Sequence, residues 1–272
     1  MWKRFKLSFS IFFIQTFLNV VLILRGKYGE EADATHQSHN FDAALGGRDP
    51  RKNAVEKESD RLFDSFALLL LFGMSVSQSR NYFLSGVGLT LLLGMIVIQV
   101  SLSCQLFYQN QIYIDVIELK SSLQAAIAFQ LSSLAVHGRL SSLQMIWISI
   151  LHTMAYQING MLIGSFHFHD LSPGMKVIGF GSFFGVGLSI GSLNHDLRSK
   201  GKIEMTTRDH LTYLGSSIIS FLFWPSFLTG FSDGDKRHRI VLNVLLSMMG
   251  GMVAAFGVSS AIDVEDKFST VS

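Results

Sequence analysis

The chain has 272 residues, of which 49% are hydrophobic and only 15% are charged, and its mean hydropathy is +0.37. Soluble globular domains usually carry about 25% charged residues, so this composition argues against a soluble protein. The net charge of +2 and the short basic loop at Lys236–Arg239 give no nucleic-acid patch, and a single cysteine, Cys104, excludes an internal disulfide.

Long stretches without Asp, Glu, Lys or Arg divide the chain. Six of them reach the roughly 18 residues that a helix needs to cross a hydrocarbon core, and two shorter ones border on that length. We therefore predict an all-α polytopic membrane protein with about eight transmembrane helices. The predicted helices are Leu7–Leu24, Leu62–Gln78, Phe83–Gln105, Ser121–Val136, Ser142–Ile163, Gly174–Ser192, Leu211–Phe231 and Ile240–Ile262.

The first predicted helix is followed by a polar loop, residues 25–61, with seven basic and eight acidic side chains. We expect this loop to be extracellular or lumenal within a single transmembrane domain that covers residues 1–272. The basic residues of the other loops favour a cytoplasmic N-terminus, although the count is even once the long loop is included. The first helix is longer than a usual signal-peptide core and no A-x-A pattern follows, so we predict that it is retained.

Small residues recur inside the predicted helices, as at Gly179, Gly181, Gly185, Gly187 and Gly191. Such residues allow helix backbones to approach closely in lipid, where packing drives association. We favour this packing role over a direct role in a pore.

Four polar or aromatic features could carry function. Asp170 precedes Pro173–Gly174 at a helix entrance, where a carboxylate can cap backbone N–H groups or attract a cation. His167 and His169 could share one side as metal ligands, but nothing completes a site and we predict no metal and no cofactor. Mid-span His152 is either a functional ionisable group or a neutral histidine bonded to a neighbouring helix.

The fourth feature is a proline inside the seventh predicted helix, in the run Trp224–Pro225–Ser226–Phe227. Proline removes a backbone hydrogen bond, and we predict that it breaks and kinks this span. The kink leaves Phe227 either as an aromatic gate in a lumen or as a packing residue.

In this order the landmarks resemble the ammonium transporter/Rhesus (Rh) family, and its Rh branch in particular. Residues 170–185 (D-L-S-P-G-M-K-V-I-G-F-G-S-F-F-G) are similar to the family's D-x-G-G-S-M-x-I-H-x-F-G-A-Y-F-G. Further similar motifs are F-W-P-S-F at 223–227, D-K-R-H-R-I at 235–240, A-V-H-G-R-L-S-S-L-Q at 135–144 and the region 254–260. The resemblance covers most of residues 60–262.

The resemblance implies a trimer in which each subunit holds a narrow apolar pore for ammonium or ammonia. It implies recruitment at an outer vestibule, passage between phenylalanines and conduction past two histidines. We expect a multi-pass protein of the plasma membrane, embedded in the lipid bilayer, that forms a homo- or hetero-trimer with Rh-type subunits.

The chain departs from the family pattern at several positions. Ile178 stands where the first pore histidine is expected, and Gln124 stands where the first gate phenylalanine is expected. Phe227 matches the second gate, but Leu228 replaces the asparagine after it. Asp170 matches the family aspartate, which implies structural support near the vestibule. The chain is also about two-thirds of the family's usual length.

We therefore expect ammonium or ammonia transport by an Rh-type protein that is non-conducting in this form. The alternative is a non-transporting structural or assembly subunit of an Rh-type complex. An intramembrane enzyme is the least favoured reading, because no nucleophile–base pair stands at helical spacing, and we predict that the chain is not an enzyme.

Overall fold

The computed structural model describes residues 2–28, 65–69, 83–107, 109–136, 140–166, 173–192, 207–230 and 235–262. These residues are predominantly helical. A 3₁₀ turn follows α2 at Cys104–Phe107, and a π-helical segment at Gly174–Gly179 leads into α5. The α-helices are α1 (Trp2–Arg25), α2 (Phe83–Ser103), α3 (Val116–Leu134), α4 (Ser142–Ser165), α5 (Phe180–Ser192), α6 (Thr207–Thr229) and α7 (Asp235–Ile262).

The helical class predicted from the sequence is confirmed, and the described parts of the predicted spans are helical except at the ends of Ser121–Val136 and Leu211–Phe231, where α3 stops at Leu134 and α6 stops at Thr229. Of the predicted helix Leu62–Gln78, residues 65–69 are described and are helical. The polar loop lies outside the described residues beyond residue 28.

The predicted count of about eight spans is not confirmed. Within the described ranges, four helices are long and apolar enough to cross a membrane. They contain the segments Lys6–Arg25, Gly86–Phe107, Gly174–Ser192 and Lys236–Val258.

Polar side chains of α3 and α4 are hydrogen-bonded within the bundle. The Gln130 amide of α3 donates to the Thr90 carbonyl of α2 over 3.1 Å, and the Gln157 amide of α4 donates to the Ser101 hydroxyl of α2 over 2.6 Å. Buried polar groups are tolerated when they are hydrogen-bonded in this way. Composition alone therefore understates how well these helices fit inside a bundle.

A short parallel sheet, which the sequence did not predict, ties two distant segments together. Strand β1 (Gly26–Tyr28) pairs with β2 (Ile112–Ile114), with Gly26 opposite Ile112. A Cβ atom at Gly26 would overlap the carbonyl oxygen of Leu22, so only glycine lets the chain turn from α1 directly into the strand. Three-residue strands are too short for a periodic pattern to reveal them.

Helix α3 is the centre of the described bundle, since it packs against α2, α4, α5 and the π-helical segment. Its side chains Leu123, Ile127 and Phe129 have no exposed surface. In contrast, α1 and α7 expose rows of large apolar side chains, such as Phe12 and Val253. Helices with apolar outer faces are expected in a bundle that is surrounded by lipid.

One end of the bundle gathers residues from several helices. The sheet lies there, and the Lys120 ammonium at the start of α3 donates a hydrogen bond to the carbonyl of Gly230, just after α6. Lys176 at the start of the π-helical segment lies against Gly160 near the end of α4. We call this the strand end; it contains β1, β2, Lys120, Lys176 and Gly230.

Candidate functional site

The glycines predicted to pack helices form a close seam between α3 and α5. A Cβ atom at Gly181 would lie 2.9 Å from the Ala128 carbonyl oxygen, and one at Gly185 would lie 3.2 Å from the Ser132 Cα atom. At Gly179, Gly187 and Gly191 an added Cβ would meet no atom of the described residues within 4 Å. The packing role is therefore confirmed at two positions on one face of α5 and not at the other three: α5 approaches α3 by this face.

Ile178, which the sequence predicts at the position of the first pore histidine, lies in the π-helical segment. The backbone N–H of Val177 donates to the Pro173 carbonyl over 2.8 Å at the start of this segment. The Ile178 side chain is half-buried and packs against the apolar core. Single π-helical turns are frequent at functional sites, but this side chain can neither donate nor accept a hydrogen bond.

Phe227, which the sequence predicts to match the second gate phenylalanine, is 2% exposed and lies in the apolar core. Its ring centroid is 5.6 Å from that of Trp224. The prediction that the motif breaks the span is wrong, because α6 continues through Pro225 to Thr229. Near the proline, the Thr229 hydroxyl donates to the Pro225 carbonyl over 2.9 Å and helps to complete the last turn.

Gln124, which stands where the sequence predicts the first gate phenylalanine, is a buried residue of α3 with 4% of its surface exposed. Lys120 precedes it by four residues, so the two side chains share one face of α3. Lys120 also contacts Gly230, which follows Phe227 by three residues. This contact joins the first turn of α3 to the end of α6.

Lys120 is not among the site residues predicted from the sequence, although it carries a charge and is only 3% exposed. It stands just before the predicted span Ser121–Val136. A signal was present, because a lysine one turn before Gln124 on a helix must lie on the same face. The signal alone could not reveal that Gly230 would supply an acceptor.

A second group of charges lies at the strand end. The Gln105 amide donates to a Glu118 carboxylate oxygen over 3.2 Å, and the Asp115 side chain accepts from the Glu118 backbone N–H over 2.8 Å. Burial, with the nearby Asp115 carboxylate, raises the pKa of Glu118 above its ordinary value, and Lys176 partly offsets this rise. Glu118 precedes the predicted span Ser121–Val136.

Lys176, two residues before Ile178, is held against α4. Its Nζ atom lies 5.1 Å from the centroid of the Tyr156 ring, a distance at which a cation is attracted to an aromatic face. A Cβ atom at Gly160 would come 2.9 Å from the Lys176 Cε atom, so the glycine makes room for the lysine stem. The first turns of α3 and of the π-helical segment therefore each carry a lysine ammonium group.

His152 lies in the middle of α4 inside a shell of aromatic rings. Its ring centroid is 4.8 Å from that of Phe184, 5.2 Å from Phe180 and 5.4 Å from Phe129. Neither ring nitrogen has a hydrogen-bond partner among the described residues. The predicted alternative in which His152 is hydrogen-bonded to a neighbouring helix is therefore contradicted within the described residues.

Asp170, His167 and His169 lie outside the described residues. Within the described ranges, no group of three or more His, Cys, Asp or Glu side chains could hold a metal ion.

An apolar groove of about 340 Å³ opens between α1, α2 and α4. Phe13, Phe17, Trp147 and Met154 are among its lining residues. The groove does not involve Gln124, Ile178 or Phe227. Its lining is almost wholly apolar, so it provides few hydrogen-bond acceptors for a cation.

Three curated relatives are similar to the chain over most of its length. Ammonium transporter Rh type A of Bos taurus is 24% identical over 98% of this chain and 64% of its own length. Ammonium transporter Rh type B of Danio rerio is 24% identical over 98% of this chain and 59% of its own length. The Rh type B protein of Pongo pygmaeus is 27% identical over 86% of this chain and 52% of its own length. No protein-family model matches the chain.

Among solved structures, Rh50 of Nitrosomonas europaea has the same fold, with a TM-score of 0.70 and 22% identity over 79% of this chain and 59% of its own. The resemblance to the Rh family and the Rh-type helical membrane fold are thus confirmed. The chain spans 64% or less of the length of these proteins. The curated relatives are named as transporters, in agreement with the prediction that the chain is not an enzyme.

Proposed function

We propose that the chain serves ammonium or ammonia transport across a membrane as an Rh-type protein. The observation that carries this proposal is its similarity to Rh-type ammonium transporters over 98% of its length. The matching fold and the apolar outer faces of α1 and α7 support a position in lipid.

The chemistry of the aligned positions predicts that this chain alone conducts poorly. A charged solute that leaves water must regain hydrogen bonds inside the protein, or its desolvation is too costly. Ile178 offers none at the aligned pore position. Lys120 adds a fixed positive charge beside the regions of Gln124 and Phe227, which opposes a cation that approaches from the strand end.

We assign the named residues to roles within this proposal. Gln124 and Phe227 flank the route at the strand end, and Ile178 marks the position where conduction is interrupted. Asp170 supports the entrance of the following helix. The solute is ammonium or ammonia, the lipid environment is the plasma membrane, and the assembly is a homo- or hetero-trimer with Rh-type subunits.

A second candidate is a non-transporting structural or assembly subunit of an Rh-type complex. Ile178 favours this candidate, because a subunit that only assembles needs no polar group along the route. The close α3–α5 seam would serve either function equally, since it stabilises the bundle.

The test is a flux assay on purified chain in proteoliposomes. Ammonium-driven pH change and methylammonium uptake are measured for the parent chain, for Ile178→His and for empty vesicles, after crosslinking has confirmed an intact oligomer. We expect little flux from the parent chain and a several-fold rise in Ile178→His. The matched control is Ile190→His, a substitution at an exposed residue of α5, which leaves the flux at the parent level.

The outcomes separate the two candidates. Saturable flux from the parent chain well above the empty-vesicle leak would contradict the interrupting role of Ile178 and leave transport in place. If no variant shows flux with its oligomer intact, and if co-reconstitution with a full-length Rh-type subunit adds nothing to the flux of that subunit alone, transport is rejected in favour of the assembly subunit.

A further inference from the structure

The least expected feature of the strand end is a buried lysine ammonium. Lys120 is 3% exposed, and its ammonium group donates to the main-chain carbonyl of Gly230. Burial of a charged group is strongly unfavourable unless other groups replace its water contacts. The surroundings of this ammonium must therefore act as a receptor for it.

The acceptor belongs to the end of a helix. Gly230 follows Thr229, the last residue of α6, and its own N–H donates to the Phe227 carbonyl over 3.2 Å. The final carbonyls of a helix lack intrahelical donors and carry the negative end of the helix dipole. Such a helix end attracts a small cation with N–H donors.

The shape at Gly230 matches the lysine stem closely. A Cβ atom there would lie 3.1 Å from the Lys120 Cε atom and 3.5 Å from Nζ. The hydrogen atom of glycine thus leaves room for one methylene and one ammonium group, which together have the size of methylammonium.

We propose that the pocket between α3 and the end of α6 is a binding site for primary ammonium ions, and that the Lys120 ammonium is its tethered occupant. The ligand class is ammonium and small primary alkylammonium ions. In the parent chain the lysine fills the site permanently. Removal of the side chain turns the pocket into a receptor for a free ion of the same chemistry.

A consequence for conduction rests on the proposed function, whereas binding does not. The tethered ammonium belongs to a residue one turn before Gln124, and its acceptor Gly230 follows Phe227 by three residues. A second cation that reaches this point meets a like charge, so the Lys120 ammonium slows entry from the strand end without abolishing it. The double variant Lys120→Ala/Ile178→His is then expected to conduct ammonium faster than Ile178→His alone.

The binding test is chemical rescue of Lys120→Ala in detergent, with the melting temperature as the measurement. We expect the variant to melt several degrees below the parent chain. Methylammonium and n-butylammonium should raise the melting temperature in a saturable manner, since a ligand that binds only the folded state stabilises it. Tetramethylammonium, which has no N–H donor, and n-butanol, which has no charge, should restore nothing at equal ionic strength.

Two variants serve as controls. Lys120→Met fills the pocket with an apolar stem, so alkylammonium ions should not rescue it. Lys236→Ala removes an exposed lysine of α7 and should show neither the loss nor the rescue. Equal stabilisation of all three variants by n-butylammonium, or none in Lys120→Ala, would overturn the proposal.

A measurement on the parent chain covers the case in which Lys120→Ala does not fold. Reductive methylation followed by mass spectrometry should label Lys236 quickly and Lys120 only after unfolding. Labelling of both at the same rate in the folded chain would overturn the proposal. If alkylammonium ions rescue Lys120→Ala but the double variant conducts no faster than Ile178→His, the binding site stands and the role of Lys120 in slowing entry is rejected. If Ile178→His conducts faster than the parent chain but no rescue is seen, transport stands and the binding site is rejected.

Discussion

The Ser132 hydroxyl of α3 donates to the Gly181 carbonyl of α5 over 2.8 Å, and it also donates to the Ala128 carbonyl of its own helix over 3.0 Å. This shared hydrogen bond lies where an added Cβ atom at Gly181 would come within 2.9 Å of the Ala128 oxygen. The close approach of two backbones and the bond between them therefore depend on the same pair of small residues.

The first prediction concerns this seam. Gly181→Ala should lower the melting temperature in detergent, because its methyl group meets a backbone oxygen that cannot move without shifting α3. Overpacking of this kind typically costs about 1–3 kcal/mol. The matched control is Gly187→Ala on the same helix, where an added Cβ meets nothing within 4 Å and the melting temperature should hold or rise. Equal melting temperatures for the two variants would contradict the seam.

The second prediction concerns the histidine inside the aromatic shell. Neither nitrogen of His152 has a hydrogen-bond partner among the described residues, so replacement by an apolar side chain of similar size should cost little. We expect His152→Leu to melt at or above the parent temperature. His152→Ala should lose about 2–4 kcal/mol through the cavity that it leaves.

Flux and stability together distinguish the two roles of His152. If the Leu variant is as unstable as the Ala variant, the histidine makes a polar contact that stabilises the bundle. If the Leu variant is stable but abolishes ammonium flux in the Ile178→His background, His152 belongs to the route.

The third prediction concerns pH. The pKa of Glu118 is raised above its ordinary value of 4.5, first by burial and then by Asp115. The folded state therefore holds the proton more tightly than the unfolded state, and this carboxyl's contribution to stability is full below the unfolded pKa. It is lost as the pH rises through the raised folded pKa. Glu118→Gln should melt higher than the parent chain at pH 7, and the difference should shrink toward pH 4.5.

A second variant checks the origin of this shift. Asp115→Asn keeps a side-chain oxygen to cap α3 but removes the nearby negative charge. In the Asp115→Asn background the gain in melting temperature from Glu118→Gln at pH 7 should therefore be smaller. If the difference in melting temperature between the parent chain and Glu118→Gln does not change with pH, titration of Glu118 is not its cause.

The fourth prediction rests on the sequence alone. Asp170 precedes Pro173–Gly174 at a predicted helix entrance, where its carboxylate can cap backbone N–H groups. Asp170→Ala should reduce expression or the stability of the oligomer, as measured by size-exclusion chromatography and thermal melting. Asp170→Asn, which retains a capping oxygen, should keep most of that stability. Unchanged melting and assembly in Asp170→Ala would contradict the capping role.

The positions of the helices could be read from the sequence, because long charge-free runs leave few other structures possible in lipid. The packing role of Gly181 and Gly185 was also accessible, since their spacing places them on one helix face. The sequence could not show that Gly187 and Gly191 lie away from the other described helices, because the face that packs depends on the neighbouring helix.

The contacts at the strand end could not be predicted for a different reason. Lys120 and Gly230 lie far apart in the chain, and neither residue type signals the other. The fate of a buried charge depends on which carbonyl the fold brings to it. The π-helical register at Ile178 is equally hidden, because it follows from hydrogen bonds and not from composition.

The pairing of Gly26 with Ile112 has a consequence for biogenesis. During synthesis, α1 and its first strand emerge long before the segment that completes the pair. Helix α1 therefore remains in the bilayer without its final neighbours until residue 114 has left the ribosome. Assembly of this protein is therefore expected to be completed late, and a stalled nascent chain that ends before β2 should leave α1 accessible to crosslinking by the insertion machinery.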